Sequence, residues 1–242
     1  MNTAKIKIWL FETQNAIIRA HIKRKFLGKS DWHLVYVGND YSGYWYPKNL
    51  LDSKGTIWGV GLGLDSSFEK ELLERGYTVL GFEPETKCFE VSRQQLNSPK
   101  SRIFNFGLWD KTGLFRYTGD NISIIDIFQR GDYRDSHLDI QSLWDVAQEL
   151  SLESNQYPRV LRMNIEGAER EILLRFVQEP LPFEVVIFQA EFLFHLPFKL
   201  FRKRIRAIRE LNGILEGIKK VGWKLEGLNR NQITLLKTTM NK

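Results

Sequence analysis

A glycine-rich run at residues 59–65 is the clearest sign of chemistry in the sequence. Its residues, Gly59-Val60-Gly61-Leu62-Gly63-Leu64-Asp65, leave a short apolar stretch that predicts a strand. Glycines in such a place let the backbone approach a nucleotide-like ligand, because no side chain keeps the two apart. Glu83 lies 22 residues beyond Gly61, close to the offset of about 20 residues at which an acid meets ribose hydroxyls. The two features together predict an adenosine site.

The charge beside the glycines distinguishes between adenosine-containing cofactors. Ser66 stands where the third glycine of a dinucleotide motif counted from Gly61 would be, and Asp65 lies next to it. A carboxylate there would repel the pyrophosphate of NAD or FAD, which such motifs hold at the helix N-terminus. The same carboxylate would attract the ammonium group of S-adenosylmethionine. The charge pattern therefore favours S-adenosylmethionine as the cofactor.

A second polar segment passes from a strand into a helix, as Leu161-Arg162-Met163-Asn164-Ile165-Glu166-Gly167-Ala168-Glu169-Arg170-Glu171-Ile172-Leu173. Ligands of open α/β sheets bind at the carboxyl ends of the strands. Asn164 and Glu166 lie nearest that end and are the better candidates for the site. Glu171 is better explained as an acid that complements the dipole of the first helical turn.

The elements that must position these residues follow a regular alternation from residue 56 onward. Alternating strands and helices predict an α/β fold, with a mostly parallel sheet covered by helices on both faces. A polar turn between the last two strands predicts an antiparallel hairpin at the edge of this sheet, and the aromatic stretch 32–46 predicts short strands or an irregular cover over a pocket. The predicted strands are 56–60, 77–82, 103–106, 114–117, 122–128, 160–163, 185–188, 223–228 and 232–236, and the helices are 66–75, 86–95, 141–150, 168–178 and 201–221.

Composition and charge divide the chain into two parts. Of its 242 residues, 43% are hydrophobic and 26% are charged, which are proportions of a globular domain. A single cysteine, Cys88, excludes a disulfide framework and a cysteine-rich zinc site, and we expect no metal. The net charge of +6 lies within residues 1–30, so the rest of the chain sums to zero. We predict a basic amphipathic helical extension over 1–30 and one domain over 31–242.

The position of the basic charge bears on partners and location. We do not expect nucleic acid as a partner, because the domain itself is neutral and the basic cluster at 199–209 is balanced by acids elsewhere. For the first helix, packing on its own domain is favoured over contact with a membrane surface, and both readings stay open. The apolar runs are too short and too polar to span a bilayer. We expect a cytoplasmic protein, with peripheral contact at the inner membrane surface as the open alternative.

Several segments, in their order, resemble the FkbM-type S-adenosylmethionine-dependent methyltransferases. The second polar segment is the most specific match, since it is close to that family's lysine-hydrophobic-aspartate-hydrophobic-glutamate-glycine-alanine-glutamate signature. The glycine run matches a subgroup that carries aspartate, serine and phenylalanine after the glycines. Further similar segments are Gly43-Tyr44-Trp45-Tyr46-Pro47, Phe82-Glu83-Pro84, Phe106-Gly107-Leu108-Trp109-Asp110 and Gly222-Trp223-Lys224-Leu225.

The resemblance implies a Rossmann-like class I methyltransferase fold with a seven-stranded sheet. It also implies that the methyl donor binds at Gly61, Gly63, Asp65 and Glu83, with Asp110 or the backbone around Leu108 near the adenine. Members of that family commonly methylate hydroxyl oxygens of sugars, glycans or polyketide-like natural products. The implied acceptor is therefore a small molecule or a glycan.

Departures from the family pattern leave two functions open. Gly59 and Asn164 stand where the family often has acids, and asparagine cannot accept a proton from a hydroxyl. If a general base is required, the candidates are Glu166, Glu191 and His195. The leading interpretation is an O-methyltransferase with Glu166, Asn164 and Glu191 at the catalytic centre. The alternative is a degenerate methyltransferase fold that binds a cofactor or partner without catalysis.

Overall fold

The computed structural model describes residues 3–28, 32–117, 136–150, 158–190, 193 and 201–240. Its strands are β1 (Leu34–Val37), β2 (Tyr44–Pro47), β3 (Thr56–Val60), β4 (Thr78–Phe82), β5 (Ser101–Phe104), β6 (Gly107–Trp109), β7 (Gly113–Tyr117), β8 (Ser136–Ser142), β9 (Arg159–Met163), β10 (Val185–Gln189), β11 (Trp223–Asn229) and β12 (Gln232–Lys237). Its helices are α1 (Thr3–Phe26), α2 (Ser67–Glu74), α3 (Thr86–Gln95), α4 (Leu143–Leu150), α5 (Glu169–Gln178) and α6 (Phe201–Lys220).

The centre of the fold is a seven-stranded sheet in the order β11-β12-β10-β9-β3-β4-β5. Strand β12 is antiparallel to both of its neighbours, whereas β10, β9, β3, β4 and β5 pair in parallel. In this order β3 lies in the middle, with β9 on one side and β4 on the other. The structure confirms the predicted fold class: an α/β, Rossmann-like fold with a mostly parallel seven-stranded sheet and a C-terminal antiparallel hairpin.

Residues along each central strand alternate between two cores, because successive side chains of a strand point to opposite faces. On one face Ile57 packs with Phe68 of α2 and with the aromatic residues of the β1–β2 hairpin. On the other face Trp58 belongs to a core that α4, α5 and α6 complete, through residues such as Leu143, Ile172 and Leu211. Helices therefore cover both faces, as the sequence predicts.

The chain between β5 and α4 differs most from the prediction. Strand β5 ends at Phe104, and β6, β8 and β7 form a separate three-stranded sheet in that order. The helix predicted from residue 141 begins at Leu143, because residues up to Ser142 pair as β8. The strand predicted over 122–128 lies outside the described residues.

Helix α1 packs on the domain through its second half. Ile18 and Ile22 are 6% and 0% exposed and belong to the main core. Arg204 of α6 donates a hydrogen bond to the Asn15 side chain, and the Lys25 ammonium lies 2.6 Å from the Glu216 carboxylate. Within the described ranges, no helix is long and apolar enough to cross a bilayer. The domain boundary near residue 30 stays a prediction.

Candidate functional site

The loop between β3 and α2 needs its glycines for two different reasons. Gly61 has a φ of 73° and Gly63 a φ of 64°, in the left-handed region that disfavours other residues. A side chain at Gly61 would also collide with the main-chain carbonyl of Asn164. A Cβ at Gly63 would meet nothing within 4 Å. The loop is therefore packed against the end of β9 on one side and faces open space at Gly63.

Glu83 closes this loop from the carboxyl end of β4. Its side chain is 5% exposed, and its two oxygens accept hydrogen bonds from the Gly63 N–H at 2.8 Å and the Glu85 N–H at 2.9 Å. Burial raises the pKa of the Glu83 carboxyl, and these N–H donors oppose that rise. A carboxylate has about four acceptor positions, so Glu83 can still accept from hydroxyls on the open side of the loop. The structure therefore brings Glu83 and the glycine loop together, and their role as an adenosine site stays a prediction.

Asp65 lies two residues before α2 and accepts a hydrogen bond from the first residue of that helix. One of its oxygens accepts from the Ser67 N–H at 2.9 Å, and the other accepts from the Asn39 side-chain amide at 2.6 Å. Although partial burial opposes the effect, these hydrogen bonds hold the pKa of Asp65 below its usual value. The Ser66 hydroxyl, a candidate cap by sequence, instead donates to Ser92 at 3.1 Å. Asp65 thus joins the glycine loop to the β1–β2 turn as an anion.

Asn164 and Glu166 lie at the carboxyl end of β9, next to the glycine loop. The Asn164 N–H donates to the Val60 carbonyl at 2.9 Å, which fixes the two strand ends together. The Asn164 side-chain oxygen is buried and accepts no hydrogen bond from the described residues. Glu166 is exposed and has a φ of 55°, at the tip of the turn that leads into α5. The structure thus brings both residues to the side of the loop opposite Glu83.

Glu169 is an acid of this segment that the sequence did not single out. It is fully buried, and one oxygen accepts from the Ile165 N–H at 2.9 Å. Burial raises the pKa of Glu169 to about 8, although the N–H groups of Ile165 and Gly167 oppose it. Its contacts close the turn from Asn164 to α5, so Glu169 positions the turn that carries Glu166.

A buried ion pair lies beneath the glycine loop. The Arg162 guanidinium donates to the Gly61 carbonyl at 2.7 Å, and its Nε lies 3.5 Å from a Glu69 carboxylate oxygen. The two side chains are 1% and 0% exposed. Although burial works against the charge of Arg162, the nearby Glu69 carboxylate raises its pKa. The pair therefore anchors the backbone of the loop from within the sheet.

Glu69 also accounts for the glycine at position 59. A Cβ placed on Gly59 would meet a Glu69 oxygen at 2.9 Å and the Leu62 side chain at 2.8 Å. The carboxylate of Glu69, which comes from the first turn of α2, therefore fills the space that a side chain at position 59 would need. The available signal in the sequence is its spacing, because Glu69 shares the buried face of α2 with Phe68 and Leu72.

Tyr44 of the β1–β2 hairpin covers Arg162 from the other side. The guanidinium carbon lies 4.5 Å from the centre of the Tyr44 ring, which suits a cation–π contact. The Tyr44 hydroxyl accepts from the Gln189 amide at 3.0 Å, and burial raises the pKa of Tyr44 to about 12. The aromatic stretch predicted as a cover thus packs directly behind the loop.

No contact among the described residues places the remaining predicted site residues at the glycine loop. The main-chain carbonyl of Asp110 accepts a hydrogen bond from the Arg175 side chain at 2.6 Å. Arg175 lies in the second half of α5, which runs away from the carboxyl ends of the parallel strands. The site role of Asp110 stays a prediction. Glu191 and His195 lie outside the described residues.

The arrangement suits a cationic, adenosine-containing ligand. Gly61, Gly63, Asp65 and Glu83 meet at one edge of the sheet, with Asn164 and Glu166 beside them. Open space lies at Gly63, and among the described residues at this edge carboxylates outnumber cations. Carboxylates can bind ammonium and hydroxyl groups.

Comparisons with known proteins give no match in sequence. No family model matches the chain, and no curated protein matches it. Among solved structures, monomeric WbdD is similar over 78% of this chain and 38% of that chain, at 12% identity and a TM-score of 0.45. A putative caffeoyl-CoA O-methyltransferase from Staphylococcus aureus is similar over 96% and 98%, at 10% identity and a TM-score of 0.44. The chain thus spans about two fifths of the length of WbdD.

Proposed function

We propose that this protein is an S-adenosylmethionine-dependent methyltransferase that transfers a methyl group to a hydroxyl oxygen. The observation that carries the proposal is the contact between Glu83 and the glycine loop, with the Gly63 N–H 2.8 Å from the Glu83 carboxylate. This contact joins the carboxyl ends of two neighbouring parallel strands, β3 and β4. It lies at the position where α/β sheets bind nucleotide-like ligands.

Each group at the loop has a distinct part in holding the cofactor. Glu83 accepts hydrogen bonds from the ribose hydroxyls, and Gly63 leaves room for them because it has no side chain. Asp65 attracts the ammonium group of the methionine moiety. Arg162 holds the Gly61 carbonyl from below, so the loop is preorganised before the ligand binds. When bound, S-adenosylmethionine supplies an electrophilic methyl group on a sulfonium leaving group.

The residues at the end of β9 act on the acceptor. Much of the acceleration comes from positioning, because an in-line transfer needs the acceptor oxygen and the methyl carbon aligned at close range. The Asn164 side-chain amide would donate a hydrogen bond to the acceptor oxygen and so orient it. The Glu166 carboxylate would take the proton of the acceptor hydroxyl. A sugar, glycan or natural-product hydroxyl is the acceptor class that the family resemblance supports.

Two measurements on the 242-residue chain test the proposal, first of cofactor binding and then of turnover. Titration calorimetry with S-adenosylmethionine should give saturable binding. Glu83→Gln should weaken it about tenfold or more, because hydrogen bonds to a charged acceptor are lost. Glu90→Gln is the matched control, since Glu90 pairs with Arg93 on an exposed face of α3. No binding to the wild-type chain at millimolar ligand would overturn the proposal.

A non-catalytic binding protein is the second candidate. Asn164 in place of an acid favours it, because an amide cannot act as a base. Against it stands Glu166, whose exposed carboxylate lies two residues beyond Asn164 and can accept the proton that an amide cannot. Formation of S-adenosylhomocysteine with a panel of sugar and polyketide alcohols distinguishes the two. Binding without product across the panel would favour the non-catalytic protein.

A further inference from the structure

A second cavity lies at the opposite edge of the sheet from the glycine loop. It has a volume of about 410 Å³, within the range of ligand pockets. Trp223, at the start of β11, and Thr238, just after β12, both line it. These residues lie at the end of the sheet where the parallel strands begin, since Val185 of β10 pairs with Leu236 there. The cavity is therefore separate from the site described above.

The walls of this cavity are apolar. Leu215 and Ile218 come from α6, and Trp223, Leu225 and Leu235 come from the hairpin. Each of these side chains is less than 5% exposed, so the walls are set by the packed core. The end of α1 supplies Phe26 and Leu27, which are only half-buried. Such walls suit an aliphatic chain, because burial of apolar surface favours its transfer out of water.

The rim of the cavity is basic. Its charged lining residues are Arg24, Lys25, Lys219 and Lys224. Lys25 pairs with Glu216 at 2.6 Å, and Lys224 pairs with Glu226 at 2.9 Å. Among the described contacts, no carboxylate lies at ion-pair distance from Arg24 or Lys219, and both side chains are exposed. The rim thus has a surplus of positive charge from two helices that converge on one apolar cavity.

We propose that this cavity binds an anionic amphiphile: its aliphatic chain lies against Leu215, Ile218 and Trp223, and its carboxylate or phosphate lies between Arg24 and Lys219. Arg24 belongs to the last turn of α1, and Lys219 belongs to the last turn of α6. The ligand is a free long-chain carboxylate or an anionic membrane lipid, which share this chemistry. Basic residues in the last turn of a helix also complement its dipole, so the test must separate the two roles.

Binding of decanoate and 1-decanol to the full-length chain tests the anionic and aliphatic parts separately. Decanoate should bind saturably and more tightly than 1-decanol. The double variant Arg24→Glu with Lys219→Glu should lose at least tenfold in decanoate affinity, with little change for 1-decanol. Lys220→Glu is the matched control, because Lys220 lies in the same last turn of α6 but does not line the cavity. Equal losses in Lys220→Glu and in the double variant, or no decanoate binding to the wild-type chain, would overturn the proposal.

A second pair of variants tests the cavity itself and the source of the ligand. Leu27→Trp should fill the mouth and abolish decanoate binding, whereas Leu114→Trp, at a side chain 73% exposed, should not. Retained secondary structure by circular dichroism shows that Leu27→Trp still folds. Sedimentation with phosphatidylglycerol vesicles, against phosphatidylcholine vesicles, assigns the source: loss of vesicle binding in Leu27→Trp identifies a membrane lipid, and decanoate binding without vesicle binding identifies a free carboxylate. Decanoate binding that Leu27→Trp leaves unchanged would overturn the proposal.

Discussion

Replacing Glu69 by alanine should destabilise the fold more than any surface substitution of the same kind. The change leaves the Arg162 guanidinium, 1% exposed, without the carboxylate 3.5 Å away. Removing one partner of a buried pair typically costs about 3–5 kcal/mol, because the remaining charge stays buried and uncompensated. Total stabilities of domains are about 5–15 kcal/mol, so the loss is a large share. The same change removes one of the contacts that position Arg162 beneath the Gly61 carbonyl, so affinity for S-adenosylmethionine should fall as well.

Urea unfolding followed by tryptophan fluorescence measures the free energy of unfolding. Glu90→Ala is the control, because it breaks an exposed pair with Arg93 on α3 and such pairs contribute about 0–1 kcal/mol. Gly59→Asp combined with Glu69→Ala should recover part of the loss, since the vacated space lies beside Gly59 and can hold a carboxylate. A loss below about 1 kcal/mol in the free energy of unfolding of Glu69→Ala would refute the reasoning that this change leaves Arg162 as an uncompensated buried charge. No recovery in the double variant would show that a carboxylate at position 59 cannot replace the carboxylate of Glu69.

Three further predictions concern the turn before α5 and the first helix. Burial raises the pKa of Glu169 to about 8, so the folded state keeps a proton that the unfolded chain releases above about pH 4.3. The free energy of unfolding should therefore fall as the pH rises from about 5 to 8, by up to about 1.4 kcal/mol per pH unit. Thermal melts across that range should lose this slope in Glu169→Gln, and parallel wild-type and variant profiles would contradict it. Glu166→Ala should lower turnover more than Asn164→Ala does, because only the carboxylate can accept a proton; equal losses with unchanged cofactor affinity would reject that order. Ile22→Ala should lower the free energy of unfolding by about 2–5 kcal/mol, since Ile22 is 0% exposed; an effect under about 0.5 kcal/mol would show that α1 is not part of the core.

Most of the central sheet could be predicted because its signals are local. Strand β3 is buried at every residue, and its apolar run is bounded by turn residues that mark its ends. The predicted bounds of α3 and of the C-terminal hairpin agree closely with the observed Thr86–Gln95 and Trp223–Lys237. The three-stranded sheet could not be predicted in the same way. Strand β6 has only three residues and pairs with β8, some thirty residues later, so no short window contains its partner.

In the candidate site, too, the features that depend on local spacing could be predicted and those that depend on packing could not. The glycines and Glu83 could be found from spacing alone, because the strand–loop–helix geometry fixes how far apart they must lie. The position of Asp65 in the sequence gives its charge but not its two hydrogen bonds to Ser67 and Asn39. The bond from Asn39 depends on the packing of the β1–β2 turn against α2, which brings together residues 26 positions apart in the sequence.

The sequence by itself determined the strands of the central sheet, the glycine loop, the acid at the end of β4 and the concentration of basic charge in the first thirty residues. Each of these follows from residue type and short-range spacing, which local backbone geometry dictates. Only the tertiary structure decided that Glu69 pairs with Arg162 beneath the loop and that the ends of α1 and α6 enclose a basic-rimmed cavity. The reason is physical: a buried charge takes the partner that packing brings within reach, and in this chain that partner lies 93 residues away in the sequence.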